Sequence, residues 1–81
     1  MTQFTHMAIK VANEQEFNAV AEKLRGMGYE ADADPFFCKW QDDSAQYDPH
    51  VLTYLDGEFA FHSHKGNAKR TRYTYEKFMQ L

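Results

Sequence analysis

The dipeptide Asp56-Gly57 constrains this chain more than any other feature of its sequence. It stands between two β-rich runs, His50-Val51-Leu52-Thr53-Tyr54-Leu55 and Glu58-Phe59-Ala60-Phe61-His62-Ser63-His64. An Asp-Gly pair in that setting predicts a two-residue hairpin, because the primed turn needs positive φ at both central positions. The register then pairs Leu55 with Glu58, Tyr54 with Phe59, Thr53 with Ala60, Leu52 with Phe61 and Val51 with His62. On that pairing Leu52, Tyr54, Phe59 and Phe61 form the core face, while Val51, Thr53, Ala60, His62 and His64 share the other. His50 falls on the face opposite His62.

The remaining elements arrange themselves around this hairpin. Thr5 to Val11 alternates, with Met7, Ile9 and Val11 on one side and His6, Ala8 and Lys10 on the other, as a half-buried strand does. Asn13 followed by Glu16 reads as a capping box. Behind it Phe17, Val20, Ala21, Leu24 and Met27 recur on one helical face, and Gly28 suits the left-handed position after the last turn. Asp32, Asp34 and Pro35 interrupt the chain before an aromatic second strand, Phe36 to Trp40, and residues 41–49 read as a loop. From Lys69 to Leu81, a short helix with Thr71 as its cap is favoured over an edge strand in which Thr71, Tyr73 and Tyr75 alternate. The expected order is β-α-β-β-β-α. This is a two-layer α+β fold with one main helix on a four-stranded, mainly antiparallel sheet.

With 81 residues the chain makes a single domain, spanning 1–81, and has little room for a deep pocket. Its 43% hydrophobic content is enough for a core. The net charge of −3 conceals a strong asymmetry. Lys and Arg number four against six acids up to Trp40, none against five from Gln41 to His64, and five against one in the basic segment 65–81. Such a split predicts an acidic and a basic patch with different partners. The first residues carry neither a basic stretch nor an apolar run, which predicts no secretory signal, no membrane association and a cytoplasmic location. One cysteine, Cys38, gives no disulfide framework, and an unstapled chain of this size is expected to lean on a homo-oligomer or a partner.

Few residues are arranged for chemistry. His62 and His64 lie two apart on a strand and point the same way, but a catalytic zinc site needs three protein ligands. His50, His6 and Cys38 are the candidates for the third; the register removes His50, and Cys38 shares the apolar face of Phe36 and Trp40. Neither a nucleophile-base pair nor a glycine-rich phosphate loop occurs at motif spacing. The expectation is therefore a non-enzymatic protein without metal or cofactor, with a metal-dependent enzyme using His62 and His64 as the remote alternative. Asp32, Asp34, Asp42, Asp43 and Asp48 read as an acidic rim able to meet a basic partner. Lys65, Lys69, Arg70 and Arg72 beside Tyr73 and Tyr75 combine phosphate-binding cations with stacking rings, a candidate nucleic-acid surface. The competing arrangement packs Tyr73, Tyr75 and Phe78 on the core and leaves the cations in water. Finally, a single helix covers one sheet face, so Phe37, Lys39, Val51, Thr53, Ala60 and His62 are expected to remain uncovered. Phe37, Lys39, Val51 and His62, with Asp42 and Asp43, form the expected protein interface.

The short strand, the helix opening Asn13-Glu14-Gln15-Glu16-Phe17 and ending Leu24-Arg25-Gly26-Met27-Gly28-Tyr29, and the aromatic strands around Trp40 and Tyr54 resemble small early accessory proteins of T-even-like tailed bacteriophages. That resemblance implies a host-takeover or anti-defence protein in the host cytoplasm. It would bind and inhibit a host factor such as a defence nuclease or the toxin of a toxin-antitoxin pair, with the basic tail contacting RNA. A stand-alone nucleic-acid-binding module is the alternative. The resemblance carries no site residues with it.

Overall fold

A computed structural model of the chain describes residues 4–33, 39–40, 47–62 and 70–81. Among them are a mixed five-stranded sheet and two helices, in the order β1 (Met7–Lys10), α1 (Glu14–Gly26), β2 (Glu30–Ala31), β3 (His50–Thr53), β4 (Glu58–His62), β5 (Thr71–Tyr73) and α2 (Tyr75–Met79). Across the sheet the strands run β2-β4-β3-β1-β5. The inner pairs β1/β3 and β3/β4 are antiparallel, whereas the outer strands β2 and β5 lie parallel to β4 and β1. The α+β class agrees with the sequence reading. The strand count and the antiparallel character of the edges do not.

Helix α1 forms for the reasons its sequence gives. The Asn13 side chain accepts from the Glu16 N–H at 2.9 Å, and the Glu16 carboxylate reaches back to accept from the Ala12 N–H at 2.9 Å. At the other end Gly28 adopts φ 100°, and the N–H groups of Gly28 and Tyr29 donate to the carbonyls of Arg25 and Leu24. This Schellman closure satisfies carbonyls that the helix end would otherwise strand. Its buried face, Phe17, Val20, Ala21 and Leu24, closes over the sheet. There it meets Met7, Ile9, Val11, Val51, Phe59 and Phe61, with Phe78 of α2 filling the β5 side. Phe17 and Phe61 meet edge to face at 5.4 Å, and Trp40 lies on Phe61 at 5.2 Å.

The hairpin exists, but its turn is one residue longer than expected. The Gly57 N–H donates to the Tyr54 carbonyl and the Tyr54 N–H to the Glu58 carbonyl, each at 3.0 Å, so Leu55, Asp56 and Gly57 form a three-residue loop. Gly57, at φ 90°, occupies the left-handed bulge position that follows a type I turn. The pairing is consequently Thr53 with Phe59, Leu52 with Ala60, Val51 with Phe61 and His50 with His62. A one-residue slip exchanges the faces of one strand. Val51 and Thr53 thus join Phe59 and Phe61 under the helices, both at 0% exposure, and Leu52 and Tyr54 move to the opposite side. Thr53 is tolerated in the core because its hydroxyl accepts from the Met7 N–H at 2.8 Å and donates to the Thr5 carbonyl at 2.6 Å.

Three further expectations change. The strand predicted at Phe36 to Trp40 falls largely outside the described residues, and Lys39 and Trp40 themselves belong to no strand. The strand that follows α1 is instead the two-residue β2. Both readings of the C-terminal segment hold in part, since β5 precedes α2, and the cap of α2 is Thr74, whose hydroxyl accepts from the Lys77 N–H at 3.2 Å, in place of Thr71. The C-terminal turn is tied to α1 by Lys23, whose ammonium donates to the carbonyls of Met79 and Leu81 at 3.0 and 2.8 Å.

Candidate functional site

The side chains that the core does not absorb collect on the sheet face away from the helices. Ladder pairing sets Lys10, His50 and His62 side by side in one row across β1, β3 and β4. A second row, Arg72, Ala8, Leu52 and Ala60, lies next to it. Continuing the registers one place toward the hairpin turn gives a third row: Arg70, His6, Tyr54, Glu58 and Glu30, from the β5 edge to the β2 edge. It begins with a cation and ends with two carboxylates.

This face is not the apolar surface expected of it. Ala8, Leu52 and Ala60 are only 1 to 2% exposed, and Val51 is in the core. What remains accessible is polar or aromatic. The Tyr54 hydroxyl lies 3.2 Å from His62 Nε2, the His6 ring meets the Tyr54 ring edge-on at 6.3 Å, and the Arg70 guanidinium sits 4.9 Å from the Tyr54 ring centroid. His50 is buried, with Nδ1 2.7 Å from the Asp48 carbonyl, and Asp48 also pairs with Lys10 at 3.5 Å.

Arg70 is the anomaly of the face. Its Nε and Nη1 are withdrawn from solvent and have no hydrogen-bond partner. Donors that have lost water without gaining an acceptor cost about 1 to 3 kcal/mol each, and more when charged. Stacking on Tyr54 offsets part of this, since a cation on an aromatic face contributes roughly 0.5 to 2 kcal/mol. Beside it Thr5, His6, Leu55 and Thr71 complete a cleft of about 460 Å³.

The site residues expected from sequence are redistributed accordingly. Tyr73 and Tyr75 are half-buried and pack against the core, Tyr73 on Phe78 at 6.0 Å, so they do not stand beside the cations. Arg72 is exposed, and Arg70 and Arg72 project on the other face. Lys39 is exposed and His62 half-buried. Lys65, Lys69, Phe37, Asp42, Asp43, Cys38 and His64 lie outside the described residues. His50, expected on the far face from His62, is its direct cross-strand partner. Among the described residues no three His, Cys, Asp or Glu side chains converge to hold a metal ion, and no helix is long and apolar enough to cross a membrane.

Sequence reasoning missed His6 and Tyr54 as companions of Arg70. The available signal was the alternation in Arg70-Thr71-Arg72-Tyr73: read as a strand, it separates the arginines from Tyr73. No known protein family, curated protein or solved structure matches the chain.

Proposed function

We propose that the chain is a small non-enzymatic binding protein that engages another macromolecule through the two oppositely charged edges of its sheet. The row from Arg70 to Glu30 carries this reading. It places a basic strand at one edge and Glu30, Glu58 and nearby Asp56 at the other. Edges of opposite sign steer encounter and fix orientation more than they add raw affinity, which suits a surface made to find one partner. The likeness to phage accessory proteins supplies the class of that partner: a host defence protein such as a nuclease toxin. Its own nucleic-acid groove is basic, and the acidic β2 edge would meet it. Affinity capture from a bacterial lysate, with and without nuclease treatment, tests the reading. A stoichiometric protein that survives nuclease treatment, and is lost on combining Glu30→Lys with Glu58→Lys, supports it; recovery of nothing above background sinks it.

A second reading, a nucleic-acid-binding module, is favoured by the unpartnered Arg70 donors stacked on Tyr54. Among the described residues its cationic surface is Arg70 and Arg72, without Tyr73 and Tyr75. Combining Arg70→Glu with Arg72→Glu should abolish oligonucleotide binding, and the parent should lose affinity steeply as salt rises. Binding that the double variant retains would dismiss this version.

A further inference from the structure

The cleft lined by Thr5, His6, Leu55, Arg70 and Thr71 has a donor inventory that selects one kind of ligand. A guanidinium offers five N–H donors in a rigid fork and accepts nothing, so carboxylate or phosphate oxygens are its complements. The Nε and Nη1 of Arg70 have no acceptor among the described residues, and the ion pairs of Asp48 go to Lys10 and His50. The Tyr54 ring, 4.9 Å from the guanidinium carbon, holds the fork in place before any ligand arrives.

Part of the backbone around the cleft is already committed. The Thr71 N–H donates to the His6 carbonyl at 3.2 Å, the Thr5 N–H to the Tyr29 hydroxyl at 3.0 Å, and the Thr5 carbonyl accepts from Thr53 at 2.6 Å. Among the side chains, the walls offer a ligand the Arg70 fork and the His6 imidazole, which the strand registers place in one row. A carboxylate or an internal phosphodiester has two free oxygens for these groups. A terminal phosphate has three and, at neutral pH, close to two charges. At about 460 Å³ the cleft also has room for more than the phosphate, and falls within the usual range of small-molecule sites, about 300 to 1,000 Å³. Leu55, 64% exposed at its rim, offers apolar surface to the rest of such a molecule.

We propose that this cleft is a phosphomonoester site, filled by a nucleoside monophosphate or by the phosphorylated 5′ end of an oligonucleotide. The assignment rests on the nucleic-acid reading for its ligand class and is independent of the inhibitor reading. Arg70 supplies the paired donors, Tyr54 positions it, and His6 takes up a further oxygen valence.

Titration of the intact protein with inorganic phosphate, adenosine 5′-monophosphate, adenosine, and short oligonucleotides bearing a 5′-phosphate or a 5′-hydroxyl tests it, read by calorimetry and by the Arg70 Nε–H resonance. The monophosphate should bind at least tenfold more tightly than adenosine and shift the Arg70 signal. Arg70→Lys, which keeps the charge and loses the fork, should weaken binding at least fivefold, while Arg72→Ala stays within twofold of the parent. Preference for the 5′-phosphorylated oligonucleotide assigns the oligonucleotide end as the source; binding of the mononucleotide alone upholds the cleft and removes the nucleic-acid reading. Oligonucleotide binding that ignores the 5′ group, or falls equally with Arg70→Lys and Arg72→Ala, overturns the cleft and leaves the nucleic-acid reading standing. No binding in any arm overturns both. The resonance is read on the unaltered protein, so a variant that fails to fold does not decide the matter.

Discussion

The two faces of this sheet are built to different standards. Under the helices, among the described residues, each buried side chain meets an apolar neighbour, and the single polar intruder, Thr53, has its hydroxyl used twice. On the opposite face the buried positions are occupied by Ala8, Leu52 and Ala60, while longer polar side chains gather at the β5 side and include guanidinium donors with no acceptor. Side chains one residue apart along a strand therefore serve different ends: one set holds the fold, and its neighbours carry a cost that the fold must absorb. Unsatisfied groups of this kind are characteristic of sites kept for binding, at the expense of stability.

The contrast can be broken first on the covered face. Phe59 is 1% exposed in the core, with the Arg25 guanidinium 5.7 Å from its ring. Phe59→Ala should cost about 3 to 5 kcal/mol in urea unfolding; a loss below about 1 kcal/mol would mean that the helices do not seal this face. Gly57→Ala comes next, because a Cβ there would lie 2.8 Å from the Phe4 ring at a backbone φ of 90°. The expected loss is about 1 to 3 kcal/mol. A neutral result would mean that Gly57 does not hold a left-handed φ against the Phe4 ring. Asn13→Ala removes one helix cap and should lower stability by about 1 kcal/mol. The smallest effect should come from the opposite face. Arg70→Met keeps the length of the stem, removes the orphaned donors, and should leave stability within about 0.5 kcal/mol of the parent or raise it. A fall of 2 kcal/mol or more would show that Arg70 is part of what holds the fold.

How far the sequence could be read depended on how local each signal is. The caps of α1 were legible because Asn13, Glu16 and Gly28 act within one turn of their own positions. The alternation of β1 was equally plain, and its core set, Met7, Ile9 and Val11, is as expected. The hairpin was legible as an element but not in register, since Asp-Gly serves two loops equally well. It can form both central positions of a primed turn, or close a type I turn and supply the bulge glycine. The flanking residues do not choose, because Val51 and Leu52 are both apolar. Thr53 looks like a surface residue until its partners Met7 and Thr5, on another strand, are known. That single misplacement carried Val51 to the wrong face and separated His50 from His62. Strand β2 was beyond reach, since two residues show no periodicity, and β5 was masked by its polar composition. The cleft around Arg70 draws on β1, the hairpin loop and β5, so no stretch of sequence contains its pattern.

The strand order also has a consequence in time. Strand β1 is made first, yet its two neighbours, β3 and β5, come from the later part of the chain, and Met7 aligns with Thr71. At about 5 to 20 residues per second, synthesis separates the two strands by roughly 3 to 12 s. Over that interval Met7, Ile9 and Val11 have no complete sheet to enter. The β3–β4 hairpin is the earliest pair of described strands that can assemble from local contacts, and the sheet closes around it from both sides. The protein should therefore acquire its cleft last, when β5 docks, so that binding competence marks the completion of folding.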